Sequence, residues 1–505
     1  MAKSPSVSAA LPAPVGGWDT REALADMPSD RAVILDNLFP TTDKVILRRG
    51  YAEHATGLGA AVETLLEYNA IDGTYELFGA AGDSIFDVTS AGAVGAAVVT
   101  GRTSARFQQV QFGTAGGQFL FCCNGADTPQ TYNGSAWADS TISGPTIANL
   151  AWCNIHQRRL WVGEKESLDA WYLPAVTIGG AATKFSLAGI ASMGGYIAGM
   201  GTWTRDGGSG SDDVAVFLTS EGQAIVYSGT DPSSASTWSM IGVFNIGKPI
   251  GRRFFKKAGS DMIILTQDGA VLTSSILPVD RSQTEKSAIT QQINKAFNDS
   301  VRSYGTLFGW EPMIYPRGLM LFFNIPISTT AAYQYVFNTL TRAPCRFTGI
   351  PAQCWGLKGD DIFFGSSDGS VYEFDTGTSD NGANINWDGL QAFNYFKSPG
   401  TMKAFKLAEP IFESDGNPNA ALDLCVDFKI QAPSGVSSAS YSTAGLWDVA
   451  VWDADLWGGD ADIYRGWRGV RGIGRSAALR IRGQTNNTRP AWIATNFTYV
   501  PGGQL

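Results

Sequence analysis

Histidine is the side chain that most often transfers protons near neutral pH, and this chain of 505 residues contains 2, His54 and His156. Any Ser-His-Asp or Cys-His arrangement would have to use one of them. No Gly-x-Ser-x-Gly motif lies near His156 in the chain, and neither a His-Glu-x-x-His motif nor a phosphate-binding Gly-Lys-Ser/Thr loop is present. We therefore predict no catalytic residue and a protein that is not an enzyme.

Oxygen and sulfur side chains give no stronger signal for a metal ion. Asp415, Asn417 and Asn419 alternate like the first ligands of a calcium-binding EF-hand loop, but Val426 stands where that loop requires a bidentate Glu. The 6 cysteines include no Cys-x-x-Cys pair, and their apolar or small neighbours predict buried, reduced thiols. We therefore predict no metal site and no cofactor.

Two Asp-Gly turns, 267–269 and 367–369, resemble the Asp boxes of sialidase propellers but lack the Thr-Trp that follows in those boxes. A tight hairpin explains both turns, because Gly takes the positive φ that such a turn requires. Paired carboxylates from distant strands would still allow glycoside cleavage. A glycan-binding or glycan-hydrolysing propeller, a lectin or glycosidase, is therefore kept as the alternative function.

The second of these turns belongs to the clearest element of the chain. In 361–376, the apolar runs 362–364 and 371–374 flank Ser-Ser-Asp-Gly, which predicts a β-hairpin. Similar patterns recur at intervals of about 30 to 60 residues, the scale of propeller blades. Together with 59 Gly and 15 Trp, they predict an all-β protein in which residues 60–376 form a β-propeller of about six or seven blades.

The segments on either side of the predicted propeller differ in composition. Residues 1–59 begin with an Ala-, Pro- and Ser-rich stretch and are predicted to form an N-terminal arm and docking segment. A change in composition after 377–382 predicts a smaller C-terminal β-sandwich or barrel over 377–505. No apolar run reaches the roughly 18 residues that cross a bilayer, so we expect synthesis and folding in a cytoplasm and no membrane insertion.

One segment of the predicted propeller departs from β patterning. Over about 281–302, apolar side chains recur every four residues, which predicts one inserted amphipathic helix. The apolar positions are Ile289, Ile293, Phe297 and Val301. Such a helix would either cover the side of the propeller or pack against another subunit.

The C-terminal region carries a run of positive charge on a chain whose net charge is −9. No acidic residue follows Asp462, whereas seven arginines do: Arg465, Arg468, Arg471, Arg475, Arg480, Arg482 and Arg489. Three roles remain open: stems that cover apolar surface beside carboxylates, a docking surface for an acidic neighbouring subunit, and contact with DNA phosphates. The candidate subunit-docking or DNA-facing residues are Arg465, Arg468, Arg471 and Arg475.

The N-terminal segment contains the patterns Gly17-Trp18, Met27-Pro28, Ala32, Leu35-Asp36-Asn37-Leu38-Phe39-Pro40 and Val45-Ile46-Leu47-Arg48-Arg49-Gly50-Tyr51. The C-terminal segment contains Lys403-Ala404-Phe405-Lys406, the tryptophans Trp447, Trp452 and Trp457, Gly472-Ile473-Gly474-Arg475 and Gly502-Gly503. These short patterns at both ends of the chain resemble tail structural proteins of tailed bacteriophages. The tryptophans are evenly spaced by a step that fits neither strand nor helix, and they are predicted to clamp a looped segment.

This resemblance implies a tail nozzle or hub protein of a short-tailed phage, of the tubular and DNA-stabilisation type. In that family a propeller-bearing subunit forms a hexameric ring below the portal and adaptor, and the ring retains the genome until ejection. No catalytic residues are carried over, and the expected location is the tail of the virion.

The resemblance also implies the partners. We expect copies of the chain itself, portal or adaptor proteins, tail fibre or spike proteins, and double-stranded DNA that passes through without sequence-specific binding. The candidate residues for docking such protein partners are Trp18, Phe39, Arg48, Arg49 and Tyr51.

Overall fold

The computed structural model describes residues 6–204, 213–278, 280–435, 440–441 and 462–504. Its largest part is a β-propeller, which confirms the predicted fold class. Small antiparallel sheets follow one another around a ring, and the first strand of each sheet lies beside the first strand of the next. Within the described residues, no helix is long and apolar enough to cross a membrane.

Six blades in the described residues are each built from one local stretch of chain. The first three contain Val62–Asn69, Tyr75–Ala81 and Ser84–Asp87; Gln108–Thr114, Gly117–Cys123, Gln130–Tyr132 and Trp137–Asp139; and Leu150–His156, Arg159–Glu164, Asp169–Tyr172 and Thr183–Ser186. The other three contain Ile197–Thr204, Asp213–Thr219, Gln223–Gly229 and Trp238–Asn245; Phe255–Ala258, Asp261–Thr266 and Gly269–Leu272; and Glu311–Tyr315, Met320–Pro326, Ala332–Asn338 and Pro344–Phe347. A short parallel pair, Ile142–Ser143 with Gly180–Ala181, and one 3-10 turn, Ile147–Asn149, lie between the second and third blades.

A further sheet closes the ring by joining distant parts of the chain. Its strands are Ala352–Lys358, Asp361–Ser366, Val371–Thr376 and Gly50–Thr56, with Gly92–Ala93 beside the last of these. The predicted hairpin over 361–376 is confirmed: Ile362 lies opposite Phe374, and Gly369 takes a φ of 80° in the turn. Since the first strand of the sheet packs against the first blade, this closing sheet completes the ring.

Large apolar side chains fill the space between blades. Between the third and fourth blades, Trp161 stacks on Trp238 with ring centroids 5.8 Å apart, and Tyr227 stacks on Trp238 at 5.5 Å. The cysteines are unpaired, and all except Cys153 are buried. Because these two blades share no strand ladder, packing of this kind holds them together.

The prediction of one continuous helix over 281–302 is wrong, because the segment is divided into shorter helical pieces. The segment contains Arg281–Gln283 as a 3-10 turn, Thr284–Ser287 as α-helix, Ile289–Ile293 as a 3-10 helix and Asn294–Tyr304 as α-helix, after a short helix at Thr273–Ile276. The break lies at Ala288, whose backbone is extended, and Thr290 Oγ1 next accepts a hydrogen bond from the backbone N–H of Ala270 (3.2 Å). The segment therefore bends to cover the three-stranded fifth blade, with Ile293 and Phe297 fully buried.

The predicted C-terminal β region is present as two packed sheets. The first contains Val7–Pro12, Leu38–Pro40, Val45–Leu47, Thr401–Ser414, Asp462–Tyr464, Arg468–Gly474 and Ala491–Gln504. The second contains Gly17–Trp18, Arg31–Asp36, Ile385–Gln391, Ala421–Val426 and Ala477–Thr485, and it continues into the sixth blade. Trp387 and Phe412 meet between the sheets with ring centroids 6.1 Å apart. Gly416–Asn417 and Ser440–Tyr441 form a separate short pair.

The N-terminal segment differs from the predicted arm. Its described strands belong to both C-terminal sheets and to the closing sheet of the propeller. Val7 lies opposite Tyr499, and Leu35 lies opposite Gly389. The physical reason is burial: Leu35 and other apolar side chains of this segment complete the core between the sheets.

Candidate functional site: an arginine-rich sheet edge

The candidate arginines lie on and beside the strand Arg468–Gly474. One side of this strand pairs with Thr401–Ser414, and within the described residues no strand pairs with its other side. Its inward positions are Val470 and Gly474, and a Cβ at Gly474 would come within 2.2 Å of Val426 Cγ1. One face of the strand therefore packs closely against the protein. Its outer edge leaves backbone N–H and C=O groups that a partner could bind.

The exposed side chains of this strand and of the residues beside it are here called the arginine edge: Arg465, Trp467, Arg468, Arg471, Ile473 and Arg475. Two of them are large and apolar, since Trp467 is 46% exposed and Ile473 is 71% exposed. Tryptophan and arginine are enriched at the centres of protein–protein interfaces. The arginine edge therefore suits a protein partner that offers both apolar and acidic groups.

The guanidinium groups of the arginine edge are largely uncommitted. Arg468 Nη1 donates to the backbone carbonyl of Ala420, which anchors this side chain. In the part of the chain that the structure describes, Arg465, Arg471 and Arg475 form no ion pair with a carboxylate. Four positive charges thus face outward together on a chain of net charge −9, a strong local reversal of the electrostatic field.

The later arginines of the same run are used inside the protein. Arg480 forms two hydrogen bonds to Asp388, Nε to Oδ1 at 3.0 Å and Nη2 to Oδ2 at 2.7 Å. Arg482 Nε lies 3.2 Å from Asp388 Oδ2, and Arg489 Nε donates to the backbone carbonyl of Leu47 (3.0 Å). The structure therefore divides the run into four exposed arginines and three that pair internally.

Three of the five predicted docking residues lie inside the protein. Trp18 is 6% exposed, Phe39 4% and Arg48 1%. The indole Nε1 of Trp18 donates to the carbonyl of Val33 (3.1 Å), and Phe39 packs edge-on against Phe347 with centroids 6.4 Å apart. The docking prediction is wrong for these three side chains, because their burial leaves no surface for a partner.

Arg48 instead joins three segments of the fold. Its Nε donates to Asn37 Oδ1 (2.9 Å), and its terminal nitrogens donate to both carboxylate oxygens of Asp380 (2.7 and 2.6 Å). The remaining two N–H groups donate to the carbonyls of Arg49 and Thr348, each at 2.9 Å. Burial raises the pKa of Asp380, and the Arg48 guanidinium opposes that shift. No local pattern could have identified Asp380 as this partner, because Asp380 lies far from Arg48 in the chain.

Of the remaining two predicted docking residues, Arg49 stays exposed. It borders a cavity of about 380 Å³ that Arg317, Asp375 and Arg489 also line. Burial raises the pKa of Asp375, and the charges of Arg49, Arg489 and Arg317 oppose the shift. Tyr51 is half-buried, packs edge-on against aromatic rings of the closing sheet, and has its pKa raised by burial to about 12. The ring of Tyr51 therefore packs within the closing sheet, and little of it is available to a partner.

Both histidines occupy packed positions. His54 Nε2 is hydrogen-bonded to the carbonyl of Val88 (2.9 Å), and His156 Nδ1 to Thr202 Oγ1 (3.1 Å). Burial lowers the pKa of His156 to about 4, so this ring is neutral at pH 7. Within the described residues, neither ring is hydrogen-bonded to a Ser or Cys side chain that it could activate.

The remaining candidates for chemistry have local roles. Asp368, in the turn that resembles an Asp box, accepts a hydrogen bond from the Tyr372 hydroxyl (2.7 Å), and Asp268 pairs with Arg281 Nε (2.7 Å). Among the described residues, no group of three His, Cys, Asp or Glu side chains could hold a metal ion. The predicted tryptophan clamp lies outside the described residues: Trp447, Trp452 and Trp457.

Comparison with known proteins gives distant structural likenesses. No family model and no curated protein matches the chain. Two crystal structures of BBS1N in complex with ARL6DN, soaked with mercury and with lead, share 11% and 10% identity over 65% and 66% of this chain and 97% and 99% of theirs, with TM-scores of 0.41 and 0.42. A computationally designed protein shares 11% identity over 64% of this chain and 99% of its own, with a TM-score of 0.36. The fold assignment rests on the strand pairing described above.

Proposed function

We propose that this protein is a structural subunit of a short-tailed bacteriophage virion, a tail nozzle whose copies form a ring that continues the DNA channel below the portal and adaptor and retains the genome until ejection. The main support is that the two end segments that resemble phage tail proteins are neighbours in the fold. In the first C-terminal sheet, Leu38–Pro40 pairs with Val45–Leu47, which pairs with Ala491–Gln504. That last strand pairs in turn with Thr401–Ser414, which carries the pattern 403–406. Patterns that the whole propeller separates in sequence therefore belong to one structural unit, as expected for features of a single module.

The arginine edge is the proposed contact between copies of the chain. A neighbouring copy carries 46 acidic residues against 37 Lys and Arg, so it attracts an exposed patch of arginines. Trp467 and Ile473 add exposed apolar surface, and burying this surface against a neighbouring copy is favourable. An edge that meets a different surface on the next copy makes a head-to-tail contact, and such contacts form a ring when the rotation from copy to copy closes.

A role between copies also suits the passage of DNA. A ring of chains at −9 each has an acidic channel, which repels phosphates and lets DNA slide. Arginines that faced the channel would instead hold the DNA by neutralising its phosphates. In this proposal the arginine edge is therefore placed at the subunit contact and away from the DNA.

Light scattering of the purified protein at micromolar concentration tests this proposal. We expect the mass of a hexamer or larger ring, either for the protein alone or after addition of portal and adaptor proteins. A strict monomer that ignores both partners would contradict the proposal. If that monomer also bound or cleaved glycans, the alternative of a lectin or glycosidase propeller would replace it.

A further inference from the structure

The first strands of the propeller blades converge around a cavity of about 340 Å³. Its lining comes from all six blades and from the closing sheet, for example Leu65, Gln109, Asn154, Lys256, Glu311 and Trp355. Half of the lining residues are apolar and half are polar or charged, and the volume lies in the range of small-molecule sites.

Most uncharged polar groups of the lining are already bonded to neighbouring strands. Gln109 Nε2 donates to the carbonyl of Leu65 (2.9 Å), and its Oε1 accepts from the N–H of Glu67 (2.8 Å). Asn154 Nδ2 similarly donates to the carbonyl of Met200 (2.5 Å). These bonds fix the strands around the cavity, so its walls are built before any ligand arrives.

One basic residue of the lining is held in the same way. Arg253 Nη2 donates to the carbonyls of Glu63 (2.9 Å) and Phe107 (3.2 Å), and Nη1 lies 3.5 Å from Glu311 Oε2. Its guanidinium also lies over the ring of Phe308, 5.4 Å from the centroid. Arg253 therefore supplies a fixed positive charge beside the cavity.

The two lysines of the lining are different. Lys256 and Lys257 are consecutive on the strand Phe255–Ala258, and within the described residues neither side chain forms an ion pair or a hydrogen bond. Among the lining residues, Glu311 is the one carboxylate facing three cations. Burial raises the pKa of Glu311, and the charges of Arg253 and Lys256 oppose that shift. The cavity therefore has an excess of positive charge, which attracts anions.

We propose that this cavity binds a small molecule through a phosphate or sulfate group held by Lys256 and Lys257, with the fixed charge of Arg253 behind them. A tetrahedral dianion matches two mobile ammonium groups, because each lysine offers three donors on a flexible stem. The apolar walls would contact the remainder of the molecule. This binding role is independent of ring assembly and holds whether or not the protein is a tail nozzle.

Isothermal titration of the full chain with sodium sulfate tests the proposal, with ionic strength held constant by chloride. Sulfate is the probe because its charge stays constant across the working pH range. The double variant Lys256→Gln/Lys257→Gln should bind sulfate at least about tenfold more weakly than the natural chain. Lys184→Gln is the matched control, because Lys184 lies on the third blade in an ion pair with Asp169 and should leave sulfate binding unchanged.

Glu311→Gln provides a test in the opposite direction. This variant keeps a hydrogen-bond acceptor for the N–H of Trp355 but removes the negative charge, so sulfate should bind more tightly. A gain in affinity is not a result of misfolding. The proposal is overturned if the natural chain shows no sulfate binding up to about 10 mM, or if the double lysine variant binds as well as the natural chain.

Discussion

Arg48 and the arginine edge place the same side chain in opposite settings. Arg48 is 1% exposed, and all of its N–H groups reach acceptors supplied by three segments of the chain. In the described chain, Arg465, Arg471 and Arg475 reach no carboxylate and stand beside exposed Trp467. A buried charge must be fully compensated within the fold, whereas an exposed set without partners is available for another molecule. The difference separates arginines that hold the fold together from arginines that are free to bind.

The largest expected effect comes from removing the buried arginine. Arg48→Ala should lower the free energy of unfolding by about 3–5 kcal/mol, because Asp380 would be left as a buried carboxylate without its partner. Denaturant unfolding measures the change. Arg302→Ala is the matched control, since Arg302 is 81% exposed and should change stability by less than about 0.5 kcal/mol. A loss below about 1 kcal/mol for Arg48→Ala would show that the cluster does not hold these segments together.

His156 extends the comparison to a buried base that is compensated at only one of its two ring nitrogens. Its Nε2 has no hydrogen-bond partner in the described structure, and burial lowers its pKa from 6.5 to about 4. As pH falls below 6.5, the ring of the unfolded chain takes up a proton while the folded ring stays neutral. Protonation therefore favours the unfolded chain, and the folded protein loses stability progressively from pH 6.5 down to about pH 4. Over that window the natural chain should lose about 3 kcal/mol more than His156→Gln. Unfolding curves at several pH values measure this, and parallel losses in the two proteins would contradict it.

A smaller effect should divide the arginine run itself. Arg480→Gln removes a paired guanidinium whose side chain is 13% exposed, so it should cost about 1–3 kcal/mol. Arg471→Gln on the arginine edge should change stability by less than about 0.5 kcal/mol, because no described carboxylate depends on it. Thermal unfolding of the two variants side by side gives the contrast. Equal losses would mean that the exposed and internal arginines have the same role.

Local sequence chemistry was enough to predict the propeller and its clearest hairpin. The Asp-Gly turn at 368–369 and the aromatic strands around it specify their own pairing, so Ile362 meets Phe374 as expected. The pairing of Val7 with Tyr499 has no such local signal, which is why the N-terminal strands were expected to form an arm. The helix break at Ala288 has no local signal either, because there the segment accepts a hydrogen bond from the backbone N–H of Ala270 in the fifth blade.

The candidate site was predicted in part, for a related reason. The sequence places four arginines between positions 465 and 475. The structure places them on and beside a strand at the edge of a sheet, where their side chains are exposed. Trp18 and Phe39 were expected at a docking surface, but an aromatic side chain suits an interface and a core equally well. Only the distant strands that cover them decide between the two, and those strands are not visible in a local pattern.

The most direct test of the proposed subunit contact is the mass of the assembly formed by the double variant Arg471→Glu/Ile473→Asp. Light scattering measures this mass beside that of the natural chain. Where assembly requires portal and adaptor proteins, both are added to each sample. Arg302→Glu serves as the control for a reversed charge on exposed surface. We expect the natural chain and the control to form the ring, and the double variant to remain a folded monomer. A double variant that assembles like the natural chain would show that the arginine edge is not the contact between copies.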